Sequence, residues 1–282
     1  MSAGVPFAKG HGTGNDFVVV PDPDGVLDLT SARVTALCDR RRGLGADGVL
    51  RVVRWAALKD DAHPAEPGVE WFMDYRNADG GVAQMCGNGV RVYARYLAHA
   101  GLLPDGADAP LRLGTRSGVR DVWFRGDEVA VDMGPARVGP DSTARLADAT
   151  FAGTAIDLGN PHLACVTDAP LEALDLAVAP GYDTALFPQG VNVEFVSAVQ
   201  DDEVTMRVHE RGVGETRSCG TGTVAAVVAA LRAAGRETGD VAVRTPGGRL
   251  RVTVHADTTV LHGPAVLVAF GEVAAGWWAA PR

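Results

Sequence analysis

The sequence predicts a mixed α and β chain of two similar halves, each built mostly from antiparallel strands. Three observations predict it. Short β-branched runs, broken by Gly, Pro and Asp, follow one another closely with few helices between them. Two helical patterns each begin directly after a Cys-Gly pair. The second pair repeats the surroundings of the first at an offset of 133 residues. The length of 282 residues fits two domains at roughly 100–200 residues each.

Taken in order, the first half reads as strands over residues 17–20, 49–55, 69–75, 111–115, 119–124 and 129–133. The second half continues with 155–158, 163–167, 191–197, 203–209, 241–245, 249–255 and 266–270. Thr30 or Ser31 caps a helix that runs to about Asp39, and a short helix follows Pro170. The two Cys-Gly helices cover about 88–100 and 221–234, the latter closed by Gly235. The later helix is apolar nearly all round, which predicts burial. The earlier one carries Arg91, Arg95 and His99 at intervals of four, which predicts a polar face.

Composition narrows the function. Hydrophobic residues are 46% of the chain, enough for a sizeable core. The net charge of −9 argues against nucleic-acid or anionic-membrane partners. No apolar run approaches the ~18 residues of a membrane span. Residues 1–10 lack the charged and apolar regions of a signal peptide, so the expected compartment is the cytoplasm. There Cys38, Cys86, Cys165 and Cys219 are expected as free thiols. Of 26 basic side chains only Lys9 and Lys59 are lysines, which leaves Schiff-base chemistry little choice. The cysteine spacings fit no compact zinc pattern, and no metal is expected.

The repeat organises the rest. Cys86-Gly87-Asn88-Gly89 matches Cys219-Gly220-Thr221-Gly222. Nine residues before each thiol, at the end of a strand, stand Asn77 and Glu210. After each helix comes a strand ending in Thr115 or Thr245, a tight turn, and another strand. Gly14-Asn15 and Gly159-Asn160 form a looser echo. A duplication of this kind predicts two domains facing each other across a cleft, one thiol on each wall.

Two opposed acid/base groups can invert a stereocentre next to a carboxylate: one removes the proton, the other returns one to the opposite face. Thiols suit this when a helix N-terminus lowers the pKa of one into a useful range. Backbone N–H groups at Gly87, Asn88, Gly220 and Thr221 can hold the carboxylate and its developing charge. His162 and Glu210 are candidates to relay a thiol proton, His162 for Cys86 and Glu210 for Cys219. Thiols close enough to share one carbon are also expected to be sensitive to oxidation.

The motifs Gly10 to Phe17, Arg76 to Gly80, Cys86 to Arg91, Gly159 to His162, Glu210 to Thr216 and Cys219 to Gly222 occur in order along the chain. Together they resemble the diaminopimelate epimerase family over nearly the whole length. The resemblance implies an α+β fold of two pseudo-symmetric β-barrel-like domains, each around a central helix. Residues 1–118 with 267–282 would form one and 119–266 the other, with the active site in the cleft between them. It implies epimerisation of LL- to meso-diaminopimelate in lysine and cell-wall precursor biosynthesis, with no cofactor. It makes Cys86 and Cys219 the catalytic pair, assisted by His162 and Glu210. It gives Asn15, Asn77, Asn160, Asn192 and Arg211 to the substrate, mostly at its distal end. One departure stands out: many members have Gln where this chain has Gly48.

Other readings remain open. Gly43, Gly45 and Gly48 fit a G-x-G-x-x-G pattern, but a helix before it and a strand after it oppose nucleotide binding. The asparagines are also ordinary turn formers. Cys38 and Cys165 read as packing residues. Trp277 and Trp278 read either as packing on the first domain or as part of a homodimer contact. A racemase of proline, hydroxyproline or histidine on the same fold, or a non-catalytic amino-acid-binding protein, are the competing functions.

Overall fold

The structure is a computed structural model that describes residues 4–103 and 109–280. The chain divides into two units, Met1–Val131 with Pro264–Arg282, and Asp132–Gly263. The crossings fall at 131/132 and 263/264, whereas the sequence placed them at 118/119 and 266/267. The tight turn after Thr115 does not end the first unit, because the strand that follows pairs back onto its predecessor.

In chain order the elements are β1 (Val5–Gly12), β2 (Asn15–Pro21), α1 (Ser31–Cys38), β3 (Gly48–Arg54), β4 (Trp71–Asn77), α2 (Gly87–His99), β5 (Leu111–Thr115), β6 (Gly118–Arg125) and β7 (Glu128–Gly134). Then follow β8 (Arg137–Leu146), β9 (Ala149–Asp157), β10 (Pro161–Val166), β11 (Asn192–Val196), β12 (Glu203–Glu210), β13 (Gly214–Thr216) and α3 (Gly220–Ala233). The chain closes with β14 (Gly239–Thr245), β15 (Gly248–Val254), β16 (Thr259–Pro264), β17 (Val266–Val273) and α4 (Ala275–Ala279). Thr30 caps α1 by accepting from the Arg33 N–H at 3.3 Å. The helix expected after Pro170 is one turn of 3-10 helix, Leu171–Ala173.

The duplication is complete at the level of topology. The first unit pairs its strands in the order β17-β1-β2-β3-β4-β5-β6-β7. The second follows β8-β9-β10-β11-β12-β14-β15-β16. In both, the second-to-third link of the central run is parallel across a short helical segment, and the link across the long helix is parallel too. The remaining links in each order are antiparallel.

Each long helix touches a run of neighbouring strands: α2 meets β17, β1, β2, β3 and β4, and α3 meets β9, β10, β11, β12, β14 and β15. Strands are spaced ~4.8 Å apart and a helix is only ~10–12 Å wide, so each sheet must curl around its helix. That is the barrel-like form.

Burial explains the helices. α3 is buried along most of its length, as its apolar sequence requires. α2 departs from expectation: Arg91 is fully buried rather than part of a solvent face. Its guanidinium donates to Thr13 Oγ1 at 3.2 Å, the Gly87 carbonyl at 3.4 Å and the Pro264 carbonyl at 3.3 Å. No helix among the described residues is long and apolar enough to cross a membrane.

Candidate active site

Cys86 and Cys219 are the N-cap residues of α2 and α3, both in extended backbone conformation. The N-cap geometry leaves first-turn N–H groups, those of Gly87 and of Gly220 and Thr221, without partners inside the helix. All six neighbouring positions from Gly87 to Gly89 and from Gly220 to Gly222 are buried.

In the first unit, the Cys86 thiol donates to Asn15 Oδ1 at 3.5 Å. Asn88 Nδ2 donates to the same oxygen at 3.3 Å. The Asn15 amide is held from behind: its Nδ2 donates to Asp47 Oδ2 at 2.8 Å. Asp47 in turn is paired with Arg40, which also grips Asp16. The Arg40 and Lys9 cations hold the Asp16 carboxyl far below the usual range, against the opposing effect of burial. Gly12 lets α2 come this close, since a Cβ there would lie 3.0 Å from both Arg91 Nη2 and the Asn88 carbonyl. Burial lowers the Arg91 pKa to about 10, with the charges of Cys86 and Glu128 opposing.

Asn77 ends β4, exposed, and faces Gly48 across the β3–β4 ladder. The departure at Gly48 has a local cause. A Cβ on Gly48 would lie 2.6 Å from the Arg76 carbonyl and 2.7 Å from Tyr75 Cε2. The Tyr75 ring fills the space into which a side chain would leave, packed edge-on against Phe17 at 5.8 Å.

In the second unit the Cys219 sulfur accepts from the Gly222 N–H at 3.4 Å and lies 3.7 Å from Thr221 Oγ1. Asn160 Nδ2 donates to the same Thr221 hydroxyl at 3.2 Å. Burial pushes the Cys219 thiol well up, and the carboxylates of Glu210 and Glu194 push it further; Gly222 and Thr221 pull the other way. The sequence expected a helix start to lower a thiol; at Cys219 desolvation and two acids outweigh that effect. Glu210, at the end of β12, accepts from the Thr216 hydroxyl.

His162 and Asn192 are register partners on the parallel strands β10 and β11. Asn192 Oδ1 accepts the Arg211 N–H at 2.9 Å, and Arg211 Nη1 donates to the Gln189 carbonyl at 3.2 Å. Arg211 itself is exposed. His162 is fully buried and its Nδ1 lies 2.7 Å from Glu194 Oε1. Sequence reasoning missed Glu194. The signal was there: an acid inside Asn192–Val196, where all five residues are buried. Asp47, which orients Asn15, was also passed over as part of a glycine-rich loop.

The remaining cysteines pack. Cys38 lies in the apolar cluster with Val34 and Leu37, and Cys165 in that with Leu163 and Phe195. Burial pushes Cys38 up to about 11 and Cys165 up to about 12. Trp277 and Trp278 pack on the first unit, where Arg33 sits 5.5 Å from the Trp278 ring centre. The G-x-G-x-x-G pattern opens β3 rather than a helix, so it builds no dinucleotide site.

The sequence model of the diaminopimelate epimerase family matches residues 7–139 and 154–268. The diaminopimelate epimerase of Rhodococcus jostii (strain RHA1) is 54% identical over 286 residues, covering 96% of this chain and 98% of that protein. That of Mycolicibacterium smegmatis is 54% identical over 287 residues, with the same coverage of 96% and 98%. Among solved structures, a hydroxyproline epimerase from Agrobacterium vitis with bound trans-4-hydroxy-L-proline superposes with a TM-score of 0.69, at 16% identity, over 96% of this chain and 92% of that one. A phenazine biosynthesis protein of the PhzF family from Bacillus anthracis gives 0.64, at 14% identity, over 97% and 100%. These two share the fold. With the family model matching both halves and relatives at 54% identity over nearly the full length, the chain belongs to the diaminopimelate epimerase family.

Proposed function

We propose that this chain epimerises LL-diaminopimelate to meso-diaminopimelate without a cofactor, using Cys86 and Cys219 as a thiol/thiolate pair on opposite faces of one Cα. The observation that carries the reading is the equivalence of the two thiols. Each is the N-cap of the long helix in a unit of the same strand order, and each helix start meets an asparagine, Asn15 or Asn160. One base and one acid on a common carbon is what inversion requires.

In the forward step the thiolate takes the Cα proton, and the thiol gives its own proton to the other face. The reverse reaction exchanges the roles. The raised Cys219 supports it as the resting thiol acid when Cys86 is the base. First-turn N–H groups at Gly87, Asn88, Gly220 and Thr221 hold the α-carboxylate and stabilise the carbanionic state. Glu210 assists Cys219, and His162 assists Cys86. Asn15, Asn77, Asn160, Asn192 and Arg211 bind the substrate, with Arg211 offering a bidentate partner to the distal carboxylate. The mechanism requires the two units to bring both thiols to one substrate carbon.

The reaction belongs to lysine and cell-wall precursor biosynthesis in the cytoplasm, where reduced thiols persist. Trp277 and Trp278 are spent on the first unit, so a homodimer would use the exposed apolar side chains of β17, Val266 and Val268. Sedimentation tests that state.

The activity is tested by incubating reduced protein with LL-diaminopimelate in D₂O. Deuterium at Cα together with meso product is expected. Neither appearing would sink the reading, and exchange with proline or histidine instead would transfer it to another racemase.

A further inference from the structure

The His162–Glu194 pair stands apart from the rest of the second unit in how it is buried. Both side chains are fully buried, and they meet at 2.7 Å. Each also leaves one polar atom, His162 Nε2 and Glu194 Oε2, without a hydrogen-bond partner among the described residues. Buried orphan atoms are rare in native proteins, and a functional role is one of their recognised explanations.

The surroundings are shaped for this pair. On the β10–β11 ladder His162 lies opposite Asn192, and Glu194 lies opposite Ala164. The alternation of strands puts His162, Ala164, Asn192 and Glu194 on one face. A small side chain at Ala164 leaves room for Glu194 to lean diagonally to the imidazole. From α3, Gly222 leaves room again: a Cβ there would lie 2.6 Å from Glu194 Oε1 and 3.2 Å from Cys219 Sγ. Glu194 is therefore wedged between the imidazole and the start of the catalytic helix.

We propose that Glu194 is the positioning residue for His162: it accepts the Nδ1–H, fixes that tautomer, and leaves Nε2 as the basic atom that exchanges a proton with a catalytic thiol. The inference rests on the two-thiol reading above. The step balances. A thiol S–H bond breaks and an Nε2–H bond forms, giving thiolate and imidazolium; the Glu194 carboxylate stabilises the imidazolium through Nδ1. Protonation of the thiolate runs the same path backwards. A carboxylate in this place does what an acid behind a catalytic histidine does elsewhere, holding the ring and fixing which nitrogen carries the proton.

The groups that face Glu194 are His162 and Cys165 from β10, Glu210 from β12 and Cys219 from α3. Burial pushes the Glu194 carboxyl up to about 7, with His162 pulling it down and Glu210 pushing it up.

The test combines Glu194→Gln, Glu194→Asp and ¹⁵N NMR of His162 in the full-length protein. Glu194→Gln keeps the shape and removes the charge. It should lower kcat by about 100-fold or more with KM within about twofold, and move the acid limb of the kcat/KM profile by about one pH unit. Glu194→Asp should recover part of kcat. In the wild type, His162 should show the Nδ1–H tautomer with Nε2 unprotonated. An Nε2–H tautomer in the wild type, or a Glu194→Gln profile unmoved in pH, would overturn the proposal. The NMR result does not need turnover. A wild type with the expected tautomer and no epimerase activity would therefore sink the two-thiol reading, and with it the thiol as the proton's partner, while the positioning by Glu194 would stand.

Discussion

The two helix starts are built on one plan and finished with opposite charges. At both, the residue two past the thiol meets an asparagine at the start of a strand: Asn88 meets Asn15, which opens β2, and Thr221 meets Asn160, just before β10. Behind Cys86 lies the buried cation of Arg91. Beside Cys219 lie two carboxylates, Glu210 and Glu194. The sulfur contacts differ as well. Cys86 donates outward to Asn15, whereas Cys219 accepts from the Gly222 N–H of its own helix. A duplicated scaffold supplies two equivalent positions; the charges around them have diverged.

Removing either thiol should have the largest effect. Cys86→Ala and Cys219→Ala should each lower epimerisation by about 10²–10⁴-fold or more, because each deletes one of the two proposed proton-transfer groups. Neither should disturb the fold, since a small side chain at an N-cap contributes little packing. Turnover of LL-diaminopimelate and circular dichroism on the same samples check this. A variant with near-normal turnover would remove its thiol from the pair.

The charge contrast predicts a smaller, directional effect. Cys86 is partly exposed, while Cys219 is 7% exposed with its pKa pushed well up. Thiolate is the form that alkylates, so iodoacetamide at pH 7 should modify Cys86 at least roughly tenfold faster than Cys219. Peptide mass spectrometry over a time course reads the order. Faster labelling at Cys219 would reverse the proposed resting roles.

Much of this was legible in the sequence, for physical reasons that can be located. The Cys-Gly helix starts announced themselves, because apolar periodicity and capping are local signals. So did the strands with alternating or continuous apolar runs. β1 escaped because Pro6, Gly10 and Gly12 look like a loop. Gly10 and Gly12 are there to admit α2, where a Cβ would collide with Val92 and Arg91. β8 escaped because most of its side chains face solvent. Arg91 read as a surface charge, since its burial depends on Thr13 and on the Pro264 carbonyl, far away in sequence. Glu210 could be placed from the repeat, but Glu194 could not: the matching position of the first half, Leu50 on β3, is an apolar core residue that points to no chemistry.

Glu194 also links the second helix start to stability. Its ordinary value of 4.5 rises to about 7 in the folded state, chiefly through burial. Below 4.5 both folded and unfolded chains keep the proton, so its contribution is fully present there. Between 4.5 and 7 the unfolded chain gives up a proton that the folded chain retains, and stability is lost as pH rises. Glu194→Gln lacks this proton. The stability of the wild type relative to Glu194→Gln should therefore fall by about 1–3 kcal/mol from pH 4.5 to 8. Urea midpoints of both proteins at several pH values measure the difference, in which titrating groups that do not face Glu194 cancel. Parallel curves would mean that Glu194 ionises normally in the fold.

The smallest effect should come from the hydroxyl that distinguishes the second helix start from the first. Thr221 Oγ1 takes the Asn160 amide at 3.2 Å and lies 3.7 Å from the Cys219 sulfur, where it opposes the rise of that thiol. Thr221→Val keeps the branched shape and deletes both contacts. Losing the hydroxyl and leaving the Asn160 amide without it should cost about 1 kcal/mol of stability. With one stabilising contact to the thiolate gone, Cys219 should alkylate more slowly still. Cys86 should alkylate at the wild-type rate, because its own second neighbour, Asn88, is untouched. A change at both thiols would show that the two helix starts are coupled; a change at neither would show that the hydroxyl contributes nothing to the difference between them.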